Sequence, residues 1–157
     1  MKNIIKKILR ENAFDWIEEH EPTQEETIQF IKENGITEWK FMEHWEGSLD
    51  LRGTPIQNLG NLESVGGYLN LNGTPIKDLG NLESVGGNLD LYGTQIQNLG
   101  NLESVGGYLD LVGTPIQNLG NLKSVGGYLY LRGTPISRKY SEQEIRQMVQ
   151  IDGELYL

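Results

Sequence analysis

The chain has 157 residues and no cysteine, which excludes disulfides and thiolate metal sites and suits a reducing compartment. Its net charge of −9 is unevenly spread: residues 1–46 carry −5, residues 47–137 carry −3 and residues 138–157 carry −1. Clustered Lys and Arg are missing beyond the first ten residues, which excludes a nucleic-acid surface, and no stretch approaches the roughly 20 apolar residues of a membrane span.

The chain opens on "MKNIIKKILREN", where scattered charges and the lack of a small-residue cleavage site argue against a secretory signal. A helix over residues 2–12 would set Ile4, Ile5, Ile8 and Leu9 opposite Lys2, Lys6, Lys7 and Arg10, an amphipathic face for the domain itself or for docking on an assembly. In "PTQEETIQFIKENG", Thr23 is placed as an N-cap with Glu26 three residues on, Ile28 and Ile31 share a face, and Gly35 stops the helix. Trp39, Phe41, Met42 and Trp45 follow, and are expected to cover the first unit of what comes next. Residues 1–46 are therefore read as a helical N-terminal cap.

From Gly47 the chain repeats. "GSLDLRGTPIQNL", "GYLNLNGTPIKDL", "GNLDLYGTQIQNL", "GYLDLVGTPIQNL" and "GYLYLRGTPIS" begin at Gly47, Gly67, Gly87, Gly107 and Gly127, a period of 20 residues without insertion. Such a period marks stacked coils, each touching its neighbours, so residues 47–137 are read as a solenoid. Leu69 and Leu71 alternate as a half-buried strand requires. Ile76, Leu79, Leu82 and Val85 step by three, which drifts around an α-helix, and that side is expected to be tight turns or irregular extended chain. Glycines at fixed coil positions mark the bends.

The string L-x-L-x-G-T-x-I-x-x-L-G-N-L resembles the leucine-rich repeat, in the short class found in bacterial effector proteins, over about residues 47–137. The departure is the asparagine of that pattern, replaced here by Thr54, Thr74, Thr94, Thr114 and Thr134, whose hydroxyls can take up a similar tie to the backbone at the turn. Repeats of the form "GTPIxxLGNLxSVGG" are also similar to those of uncharacterised proteins from bacteria and tailed phages. The resemblance implies a β-rich solenoid with one parallel sheet; a parallel β-helix with three sheets is the alternative.

After Thr134 the register breaks. Ser141 with Glu144 forms a second capping signal, Ile145, Met148 and Val149 share a face, and "GELYL" reproduces "GYLYL". Residues 138–157 are read as a short helix and a last strand over 154–157. That edge strand can recruit a second copy or another protein.

Alternation along each strand leaves three outward columns: Ser48, Tyr68, Asn88, Tyr108, Tyr128 and Glu154; Asp50, Asn70, Asp90, Asp110, Tyr130 and Tyr156; and Arg52, Asn72, Tyr92, Val112 and Arg132. Coils differ most here. Tyr68, Tyr92, Asp90, Tyr108, Asp110, Tyr128, Tyr130 and Arg132 are the candidate partner-binding residues, since tyrosine and arginine dominate protein interfaces; the competing reading is cross-strand stacking alone. Catalysis is not expected: His20 and His44 are the only histidines and no nucleophile elbow is present. Asp50, Asp90 and Asp110 would stand about 5 Å apart per coil, a spacing fit for glycoside hydrolysis or calcium, yet Asn70 interrupts the row. The expectation is a non-enzymatic, cofactor-free, metal-free protein-binding module of the cytoplasm (the host cytoplasm or a virion, if phage-encoded). The alternatives are a virion-associated structural protein docked by residues 2–12 and a carbohydrate-binding β-solenoid.

Overall fold

The computed structural model describes residues 23–157; the helix expected over residues 2–12 lies outside them. The N-terminal cap begins with α1 (Gln24–Asn34). Thr23 and Glu26 close a reciprocal capping box, and Gly35 ends the helix in the left-handed conformation at φ 61°. Ile31 is buried and Ile28 packs against the core edge. Trp39, Phe41 and Trp45 form an edge-to-face aromatic cluster, with Trp39 4.9 Å from Phe41 and 5.9 Å from Trp45 between ring centroids. Both indole N–H groups donate to backbone carbonyls, those of Met42 and Ser48. The cluster is buried, so its bulk closes the first coil and leaves no room for a ligand between the rings.

The rest is a parallel β-solenoid. The back sheet runs β1 (His44–Trp45), β3 (Ser64–Val65), β5 (Ser84–Val85), β7 (Ser104–Val105), β9 (Ser124–Val125) and β11 (Gln150–Ile151). The front sheet runs β2 (Leu49–Asp50), β4 (Leu69–Asn70), β6 (Leu89–Asp90), β8 (Leu109–Asp110), β10 (Leu129–Tyr130) and β12 (Leu155–Tyr156). Every pairing is parallel, and residue i faces residue i+20, as Leu69 faces Leu89, except at the last pairing of each sheet, where the offset is 26, as Leu129 faces Leu155. The expected single sheet is thus corrected to two. A period without insertions brings each backbone segment over its own copy, so any segment extended enough must pair, and the three-residue apolar step does not reveal that Ser84 and Val85 are extended. A third row exists only as isolated bridges, Glu38 to Asn58 to Asp78.

Between the sheets runs one apolar core. In the coil that starts at Gly67, Leu69, Leu71, Ile76, Leu79, Leu82 and Val85 are all buried. The threonine row makes the expected backbone tie: the hydroxyls of Thr54, Thr74, Thr94, Thr114 and Thr134 are buried and donate to the leucine carbonyl three residues back at 2.6–2.8 Å.

After the last full coil, α2 (Pro135–Lys139) and α3 (Glu142–Met148) replace the crossover. Thr134, having closed the turn, also accepts from Ser137 N–H and so caps α2, an element that its composition did not announce. The expected capping box of Ser141 and Glu144 forms. Of the apolar face expected on α3, Ile145 and Val149 are buried while Met148 is exposed. Strand β12 then closes the front sheet beside β10.

Candidate functional site

The front sheet presents the three outward columns. The middle column is first a backbone device. Asp50, Asn70, Asp90 and Asp110 all accept, through Oδ1, the N–H of the residue two further on, at 2.9–3.1 Å. Such Asx turns need a side-chain oxygen and no charge, which explains why Asn70 stands in the row without disturbing it. Asp50 spends its charge on Arg52, whose guanidinium holds it at 2.6–3.1 Å; that contact keeps the Asp50 carboxyl below the usual carboxylate range. Asp90 and Asp110 face each other in register and form no salt bridge among the described residues, Arg52 acting on Asp90 only at longer range. Burial, opposed by the Val112 N–H and reinforced by Asp90, pushes the Asp110 carboxyl up.

At the C-terminal corner the tyrosines gather. Tyr130 stacks on Tyr156 with centroids 4.9 Å apart and planes 10° from parallel. Tyr128 meets both edge-on at 6.2 and 6.1 Å, and Tyr108 meets Tyr130 edge-on at 6.1 Å. The Tyr156 hydroxyl donates to Glu154 at 2.5 Å, and that bond is the main cause that pushes its pKa up to about 12. Tyr68, Tyr92 and Tyr128 remain 41%, 50% and 46% exposed. Stacking accounts for Tyr130 and Tyr156, but it gives Tyr68 and Tyr92 nothing, since neither ring has an aromatic partner among the described residues.

Of the sequence candidates, Tyr108, Tyr128 and Tyr130 come together in this cluster, and Tyr68, Asp90 and Tyr108 come together around a cleft of about 220 Å³ whose other walls are Leu69, Asn70 and Asn88. Asp110 lies beside Asp90, while Arg132 is exposed and has no ion-pair partner among the described residues. Tyr156, Asn70 and Asn88 belong to the site and are not among the sequence candidates. Their signal was the column itself: Tyr156 falls under Tyr130 once the six residues by which the last repeat exceeds the period are set aside, and Asn88 is the gap in a column of tyrosines.

Two other features fall elsewhere. A larger groove of about 580 Å³ follows the back sheet, lined by the serine row from Ser64 to Ser124 and the glycines beside it, with Asp152 its one titratable side chain. Glu43, His44 and Glu63 bring one donor atom each to within 4.8 Å of one another at the surface, where His44 Nδ1 already bonds Ser64 Oγ at 2.9 Å.

Fold and site together define a capped parallel β-solenoid with an aromatic front face. No protein-family model, no characterised protein and no solved structure significantly matches the chain. No helix of the described residues is long and apolar enough to cross a membrane.

Proposed function

We propose that the chain is a non-enzymatic binding module that engages a partner protein through its front sheet, centred on Tyr108, Tyr128 and Tyr130. The carrying observation is the set of six tyrosines on one face, of which Tyr108, Tyr128, Tyr130 and Tyr156 touch ring to ring while Tyr68, Tyr92 and Tyr128 are exposed, on a sheet whose inner strands are paired on both sides. Rings held by neighbouring rings lose little rotamer freedom on binding, so most of their contact area counts towards affinity. The same reading sets the protein beside the leucine-rich-repeat solenoids, which it resembles in its L-x-L strands, and in the cytoplasm.

The test is an affinity capture from cognate lysate with the intact chain and with the Tyr108→Ala, Tyr128→Ala, Tyr130→Ala triple variant, its folding checked by thermal melting. A protein retained by the first and lost by the second supports the front face. Equal capture by both sinks it.

A further inference from the structure

The front-face reading leaves open what the partner presents. The cleft between Tyr68 and Tyr108 narrows that choice through its shape and its charge. Tyr68, Asn88 and Tyr108 are successive members of one outward column. Asn88 is short, and its Oδ1 is fixed by the Tyr108 N–H at 3.0 Å, so the space a third ring would fill stays empty. Two coil steps put the flanking residues on the order of 10 Å apart. A group seated midway is then about 5 Å from each ring, inside the range over which a cation is attracted to an aromatic face.

The floor supplies the charge. Asp90 lines the cleft with one oxygen engaged by the Tyr92 N–H, and among the described residues no hydrogen bond or ion pair engages the other. Asp110 adds a second negative charge one strand away, and the cation on the neighbouring column, Arg52, makes its ion pair with Asp50 and acts on Asp90 and Tyr68 only through its longer-range charge. Burial first, then the charges of Asp90 and Asp110, raise the Tyr108 phenol above its ordinary pKa, so both carboxylates act on this wall of the cleft. An anion would be repelled here, and an apolar guest would desolvate Asp90 without pairing it.

We propose that this cleft receives one arginine or lysine side chain of the partner, held between the Tyr68 and Tyr108 rings with Asp90 as its counter-ion. The proposal rests on the front-face reading for its partner, but the cleft can be tested without one. Full-length protein labelled with nitrogen-15 is titrated with the N-acetyl amides of arginine, lysine, citrulline and norleucine, following the amides of Tyr92 and Tyr108. Arginine and lysine amides should give saturable shifts confined to this cleft, in the millimolar range expected for so small a ligand. Citrulline, the neutral counterpart of arginine, should bind at least about tenfold more weakly, the factor that 1.4 kcal/mol of ion pairing and cation–π attraction represents. Asp90→Asn keeps the acceptor for Tyr92 N–H, as Asn70 does one coil earlier, so it should fold normally and lose the arginine response; Asn88→Tyr should lose it by filling the space.

Citrulline binding as well as arginine, an unchanged response in Asp90→Asn, or unsaturable shifts spread over the acidic surface would each overturn the proposal. The partner experiment separates the two readings. If Asp90→Asn still captures the partner that the triple tyrosine variant loses, the cation receptor fails and the front face stands. If the amides bind as described while the triple variant captures as the intact chain does, the cleft stands and the front-face reading fails.

Discussion

At the scale of single residues the repeat hides different demands behind identical letters. Gly93 sits at φ 66° with open space where a Cβ would go, so it is there for backbone conformation alone. Gly86 has no such φ, but a methyl group on it would collide with the carbonyl oxygen of Gly66 in the coil below. Gly93→Ala should therefore cost about 1–2 kcal/mol, the penalty of an L-residue in the left-handed region, whereas Gly86→Ala must push neighbouring coils apart and should cost more, on the order of 3 kcal/mol or above; chemical denaturation of the two variants measures the difference. The Asx row gives the opposite lesson, since its charge is dispensable to the turn. Asp110 has a raised carboxyl in the folded protein, so its ionised form weakens the fold at neutral pH, and stability recovers as pH falls through the folded value towards the unfolded one. Asp110→Asn should accordingly raise the melting temperature at pH 7, and that gain should vanish at pH 3, where both states of the native residue are protonated. Loss of stability at pH 7 would mean that the charge is paired in solution.

At the scale of elements, the array is closed differently at its two ends. At the start, α1 lays Gln24 against the front sheet, where its Oε1 takes the Asp50 N–H that no earlier strand can take, and the aromatic cluster fills the end of the core. At the far end, α3 aims Arg146 at the back sheet. Its guanidinium donates to the carbonyls of Ile151 at 3.1 Å and Gly153 at 3.2 Å, the positions whose counterparts Val125 and Gly127 serve the next coil's N–H groups. Glu142 one turn earlier on α3 steadies it at 2.8 Å. Arg146 is thus an edge blocker for the back sheet. Arg146→Ala should lose about 1.5–3 kcal/mol from hydrogen bonds made by a charged donor and speed amide exchange in residues 150–153 before the central coils are affected. Ser141→Ala, which opens the capping box of α3, should cost about 1 kcal/mol and expose the same residues. Uniform acceleration across all coils in either variant would refute a local capping role.

At the scale of the molecule, stability is a sum of coils and the contacts between them. Because coils differ only at outward positions, removing residues 87–106 should leave a folded solenoid one coil shorter, with an unchanged far-ultraviolet spectrum and a lower melting temperature; removing residues 87–96 breaks the register and should unfold the array. Much of this architecture was legible in the sequence. The period set the coil, L-x-L set one strand per coil, the S/T-x-x-E pairs set two helix starts, and the columns named the tyrosines of the front face, because each depends on residues near one another in the chain or on strict repetition. The second sheet was not legible: a backbone run pairs when its copy lies above it at strand distance, and side-chain spacing does not report that. Nor were the gap over Asn88 and the Arg146 cap, since an asparagine between two tyrosines becomes a cleft, and an arginine becomes an edge blocker, only when strand spacing and helix direction place them. The repeat, the buried leucines and the outward columns follow from the order of residues, because periodicity is a property of the chain. Which outward residues become neighbours, and with that where two rings meet a carboxylate that has no salt bridge among the described residues, depends on the stacking of the coils, because it sets distances between residues far apart in the chain.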